Sequence, residues 1–253
     1  MSSVSQREIL NVKARTQSSY RMLEYIRNHS PTHDALIESF SLGDSELTEH
    51  SLMFLKLLGL VKGEDRIVST VKVKDEYDFK SQVIQAIYKH PDLLVNYLGQ
   101  VIRRIYACGR DLNEGDMLAI LRDVRRKAGL SDETVKDTGK LDNLKPMLTY
   151  LGILGKHVVG NRVTYHQCLD PLVLHKLFTI FLGRQDIIQL AEFLEWVDEN
   201  HLPALESGRP YEALVRSLKS AENMSLIKMD NPSDFRKRVT IGDREISRVV
   251  VLK

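Results

Sequence analysis

Apolar residues in this chain recur mostly at helical spacing, and three times that spacing gives way to short alternating stretches beside turn residues. Tyr20, Leu23 and Ile26 share one helical face, and Leu47, Leu52, Leu55 and Leu58 share another. Further stripes run through Val83, Ile84 and Ile87, through Leu94, Leu98, Val101 and Ile105, and through Met117, Leu121, Val124 and Ala128. Leu144, Met147, Leu148 and Leu151 follow, then Leu174, Leu177, Phe178 and Phe181, then Ile187, Leu190, Leu194 and Val197, and last Tyr211, Leu214, Val215 and Leu218. Such spacing predicts helices that bury one face. Asn113 is placed to cap the helix that carries Met117. Pro91 and Pro146 are placed for the first turns of the helices that follow them.

The alternating stretches predict hairpins. Leu55 to Leu58 lead through Gly59 into Leu60-Val61 and Arg66-Ile67-Val68. Leu148 to Leu151 lead through Gly152 into Ile153-Leu154 and Arg162-Val163-Thr164-Tyr165. Leu214 to Leu218 lead to Leu226-Ile227, which is expected to join Val239 to Ile241 and Val249 to Leu252. A glycine just past a helix supplies the left-handed residue that ends it.

A helix delivered into a small hairpin, three times over, resembles the winged-helix superfamily in tandem units. The expected fold is mainly α with small β-hairpins, winged-helix-like units flanking a helical middle. Residues 1–15 form a polar arm, 16–74 the first unit and 75–130 the helical middle. Residues 131–183 hold the second unit with a following helix, and 184–253 the third unit with a basic wing. The resemblance implies helices offered to a major groove and wings that touch the backbone. The superfamily also serves as protein-binding modules, so fold alone leaves function open.

Composition narrows the function classes. Of 253 residues, 43% are hydrophobic, enough for cores of domain size, and the net charge is only +2. Two cysteines, Cys108 and Cys168, are too few for a disulfide scaffold. The polar N-terminus with Arg7, Lys13 and Arg15 does not read as a secretory signal, and no apolar run reaches membrane-spanning length. A cytoplasmic protein without membrane contact is expected.

Catalytic signatures are weak. Gly155-Lys156 lacks the upstream glycine and the hydroxyl of a phosphate-cradling loop, because His157 stands in the hydroxyl position. His166, Cys168 and His175 are too few for a zinc site. Asp234 and Glu245 near Arg248 lack the lysine of a metal-dependent nuclease set. Cys108 has basic neighbours but no assigned histidine base. No cofactor and no enzymatic activity are expected.

Charge is unevenly spread, and that points to partners. Residues 184–207 carry one base against six acids, and residues 208–253 carry ten bases against six acids. Arg209, Arg216, Lys219, Arg236, Lys237, Arg238, Arg244 and Arg248 gather on the third unit as candidate contacts for nucleic acid, most naturally duplex DNA. Lys140, Asn143, Lys145, Lys156 and Arg162 on the second unit permit the same contact more weakly. Glu46 and Glu49 on the first unit's presented helix would repel phosphate, which makes them candidate protein contacts. The lone tryptophan, Trp196, is a candidate interface anchor beside the acidic run Glu192 to Glu199. The expectation is a non-enzymatic adaptor of a DNA-acting complex. The alternative is a purely protein-binding scaffold.

Overall fold

A computed structural model of the chain describes residues 8–11, 16–40, 45–130, 134–160, 162–183, 187–232 and 237–252. The molecule is mainly helical, with small antiparallel strand pairs. One order of elements recurs three times. In the first instance α1 (Thr16–His29), α2 (His33–Phe40) and α3 (Ser45–Leu57) lead into β1 (Val61–Lys62) and β2 (Val68–Ser69). Thr32, between α1 and α2, bridges to Arg66 on the approach to β2. The Ile67 amide donates to the Pro31 carbonyl over 2.9 Å.

A connecting helix, α4 (Glu76–Tyr88), opens the way to the second instance: α5 (Leu93–Ala107), α6 (Glu114–Lys127), α7 (Thr134–Tyr150), β3 (Leu154–Val159) and β4 (Arg162–Gln167). Leu112, between α5 and α6, exchanges backbone hydrogen bonds of 2.9 and 2.8 Å with Tyr165 of β4. That pairing crosses the division expected near residue 130, so the helices of the middle segment share a sheet contact with the second hairpin.

The third instance comprises α8 (Pro171–Leu182), β5 (Ile187–Gln189), α9 (Leu190–Asn200), a short pair β6 (Leu205–Glu206) and β7 (Arg209–Pro210), α10 (Glu212–Asn223), β8 (Ile227–Asp230) and β11 (Arg248–Val251). Here the strand between the first two helices is complete, and the sheet order is β5-β11-β8. An extra hairpin, β9 (Val239–Ile241) with β10 (Arg244–Ile246), is inserted between β8 and β11.

The third helix of each instance ends in the same way. Leu60 donates to Leu55, Ile153 to Leu148 and Leu226 to Ala221, each over 2.9 Å. The residue before each donor has positive φ: Gly59 at 67°, Gly152 at 76° and Ser225 at 56°. This six-to-one closure satisfies an orphan helix carbonyl and turns the chain into the next strand. Helix starts are capped by Asp75, Asp92, Asn113 and Asp170, whose side chains accept backbone amides. The Asn113 cap is a full capping box with Asp116.

Four local expectations are corrected. Asp92 caps α5, so Pro91 lies just before that helix rather than in its first turn. Pro146 lies inside α7, because burial of Leu141, Leu144 and Leu148 carries the helix through it. A proline there has no amide to donate to the carbonyl of Asp142. Ile187 belongs to β5 and pairs with β11 instead of extending α9. Leu226-Ile227 does not join Val239 to Ile241: β8 pairs with β11, and β9 pairs with β10 around Gly242.

One hydrophobic core runs through all three instances. α4 packs against both α5 and α8, and α1 meets α7. Polar seams reinforce it. The Tyr88 hydroxyl donates to the Asp198 carbonyl over 2.7 Å, and Tyr106 donates to the Cys168 carbonyl over 2.7 Å. No helix of the described residues is long and apolar enough to cross a membrane.

Candidate functional site

The basic set expected on the third instance is held by α10 and the strands after it. α10 buries Leu214, Val215, Leu218 and Ala221, which leaves Arg216 and Lys219 facing out. The inserted β9–β10 hairpin folds back onto that outward face. A Cβ on Gly242, at the hairpin turn, would collide with the Lys219 ammonium.

Carboxylates then engage the cations one by one. Arg248 grips Asp230 with two parallel bonds, Nε at 2.7 Å and a terminal nitrogen at 2.5 Å. That fork holds the Asp230 carboxyl below its ordinary range. Arg244 meets Glu222 at 2.7 Å and donates a second bond to the Met229 carbonyl. Glu222 also accepts the Met229 amide, and its hydrogen bond with Arg244, then its charge, raise the affinity of Arg244 for its proton. Lys237 lies 3.2 Å from Glu195 of α9, and Arg216 lies 3.6 Å from Glu212 one turn away. Arg209 and Arg238 are exposed and form no ion pair with a described residue. Arg236 and Asp234 lie outside the described residues.

The weaker candidates on the second instance are engaged as well. Lys140 is buried and lies 3.1 Å from Glu8, and Asn143 donates to the Leu10 carbonyl over 2.8 Å. Lys145 meets Glu114 at 2.6 Å and Asp142 at 3.1 Å. Lys156 and Arg162 are exposed on the β3–β4 hairpin, beside Val158 and Val159.

Glu46 and Glu49 are exposed on α3, with Glu46 lying 3.6 Å from His50. Trp196 is half-buried at the end of an aromatic row. Its ring centroid lies 5.2 Å from Phe181 and 4.4 Å from His201. On α9, Glu192, Glu195 and Glu199 are exposed, and Asp198 turns toward its own molecule. Asp198 lies 3.7 Å from Arg103 and accepts the Ala204 and Leu205 amides, and Lys89 donates to Asn200.

Sequence reasoning missed a buried charged cluster. Glu8, Ile9 and Leu10 lie in the segment expected to be a polar arm or a short helix; they are buried, and Ile9–Asn11 form a 3-10 turn. The Glu8 carboxylate accepts from the Tyr97 hydroxyl at 2.7 Å and from Arg125 at 3.1 Å, besides its contact with Lys140. Arg125 is buried despite its charge. No local pattern marks this set, since Glu8 precedes the first instance and Lys140 lies in α7 of the second.

Among the described residues, reactive groups do not converge. Burial pushes the Cys168 thiol up to about 11, so it is a thiol rather than a thiolate at neutral pH. Cys108 is exposed and its thiol faces the Arg104 carbonyl. Among the described residues, no group of three or more His, Cys, Asp or Glu side chains is placed to hold a metal ion. No protein-family model, no curated protein and no solved structure matches this chain.

Proposed function

We propose that this chain is a non-enzymatic docking subunit, built from three winged-helix-like units that bind protein rather than nucleic acid. Support for the units is the recurring order of helix, strand segment, helix, helix and strand pair, with the first strand segment pairing to the last strand. In duplex-reading modules of this kind the third helix enters the major groove and the wing flanks it. Here the third helices are poorly suited to phosphate. α3 presents Glu46 and Glu49, α7 has Lys140 turned onto Glu8, and α10 lies under its own hairpin.

The observation that carries the reading is the pairing of Arg216, Lys237, Arg244 and Arg248 with carboxylates of the same unit. A cation held by a fixed carboxylate releases fewer counterions on meeting a phosphate. Size-exclusion chromatography of the chain with its co-purified partners, before and after nuclease digestion, tests this. A complex that survives digestion is expected, and one that disperses would overturn the reading.

Nucleic-acid contact is the second reading, favoured by Arg209 and Arg238. Both are exposed, and β9, which Arg238 precedes, packs beside β7. On that reading Arg209→Glu with Arg238→Glu removes duplex binding in a low-salt gel shift.

A further inference from the structure

Between α5 and α6, with the end of α4 at one side, lies a cleft of about 620 Å³ that includes Leu93, Asn96, Gln100, Arg104, Val124 and Lys127 in its lining. That volume lies in the range of clefts that hold ligands. Two features define its chemistry. The first is charge. Arg104, Arg126 and Lys127 all converge on one carboxylate, Asp123, at 3.4, 3.0 and 2.9 Å. Lys127 first and then Arg126 hold Asp123 below its ordinary carboxyl range, so it stays ionised. Arg104 and Lys127 line the cleft and Arg126 stands on the adjoining turn of α6, so one negative charge meets three positive ones beside the cleft, and all three basic side chains are more than half exposed. The second is apolar surface. Leu93, at the first turn of α5, leaves 48% of its surface uncovered.

The chain's own N-terminal segment shows what the neighbouring wall accepts. Tyr97 lines the cleft and sends its hydroxyl to Glu8, while the buried Ile9 and Leu10 that follow pack against α7. An acid of this chain is therefore already seated against the same helix pair, held by Tyr97 of α5 and Arg125 of α6.

We infer that the cleft is the docking site for an acidic, aliphatic segment of a partner protein. Carboxylates of the segment bridge Arg104 and Lys127, and an aliphatic side chain covers Leu93. The inference rests on the docking reading and names the partner's chemistry. A sugar–phosphate strand would use the cations but leave Leu93 in water, which is why a peptide fits better.

The test uses the full chain. Random dodecapeptides displayed on phage are selected on the wild type, and the enriched peptides are synthesised with a fluorophore and titrated by anisotropy. Arg104→Gln with Lys127→Gln forms one variant and Leu93→Asp another; all three positions are exposed, and unchanged melting curves verify folding. Enrichment of peptides that combine acids with aliphatics, and a fall in affinity of at least about tenfold in each variant, are expected. No enriched peptide, peptides lacking acids, or equal affinity for wild type and variants overturns the inference. So does a labelled duplex that displaces the peptide and loses binding in the Arg104→Gln variant, since the rim would then be a nucleic-acid track. If the cleft fails while a nuclease-resistant complex persists, the docking reading stands and only its address is wrong.

Discussion

His201 shows how one buried ring can report on packing. It is 2% exposed, its ring lies 4.4 Å from Trp196, and its Nδ1 has no hydrogen-bond partner among the described residues. Burial first, and then the charge of Lys89, hold the imidazole down to about 4 from its ordinary 6.5. In the window between those values the unfolded chain takes up a proton that the folded chain refuses. Stability contributed by His201 is therefore complete above pH ~6.5 and is lost as pH falls toward ~4, by roughly 3 kcal/mol at most. Urea melts at neutral and at acidic pH should show that loss, and His201→Phe should reduce it. Trp196 is the chain's one tryptophan, so its fluorescence should titrate with a midpoint near the lowered value. A midpoint at the ordinary histidine value would mean that the ring is solvated. Glu8 makes a second residue-scale case. Glu8→Gln removes a carboxylate shared by buried Arg125 and Lys140. The expected cost is about 3 kcal/mol in a denaturant melt. Glu46→Gln on the exposed face of α3 should change stability by less than about 0.5 kcal/mol.

At the scale of elements, the three matched helix ends make a controlled comparison. Ser225 occupies the left-handed position that glycine occupies at 59 and 152. A side chain there is strained by about 1 kcal/mol. Ser225→Gly should therefore stabilise the protein by about that amount, visible as a raised melting temperature. Gly152→Ala should do the reverse and more, because its Cβ would collide with Asp170 as well as adopt the strained φ. The same elements show what local sequence can reveal. Stripes such as Leu94, Leu98, Val101 and Ile105 predicted α5 because a helix reads its own neighbours at fixed spacing. Ile187 fitted the stripe of α9 by spacing alone, but pairing with Val250 of β11 claimed it for a strand. Likewise nothing within Val239 to Ile241 says whether it joins β8 or forms its own hairpin. Strand partners are chosen over long sequence separations, and local pattern is blind to them. Pro146 was read as a helix start on propensity, and burial of its flanking leucines overrode that preference.

For the whole molecule, the gathering of bases in residues 208–253 was legible from composition, but what those bases do was not. Lys237 meets Glu195 across 42 positions and Arg248 meets Asp230 across 18, so the engagement of these bases is a property of the tertiary fold. The Glu8 cluster escaped for the same reason. The central claim is that Arg216, Lys237, Arg244 and Arg248 on this face are already engaged by its own carboxylates, which makes it a poorer surface for polyanions than its base count suggests. Its most direct test is an anisotropy titration of a labelled duplex at low salt, comparing the wild type with a variant carrying Glu195→Gln, Glu222→Gln and Asp230→Asn. These changes remove the carboxylates that meet Lys237, Arg244 and Arg248 without adding a base. The account predicts weak binding by the wild type and a gain of roughly tenfold or more, with a steeper salt dependence, in the variant. Tight duplex binding by the wild type that the three substitutions leave unchanged would contradict it.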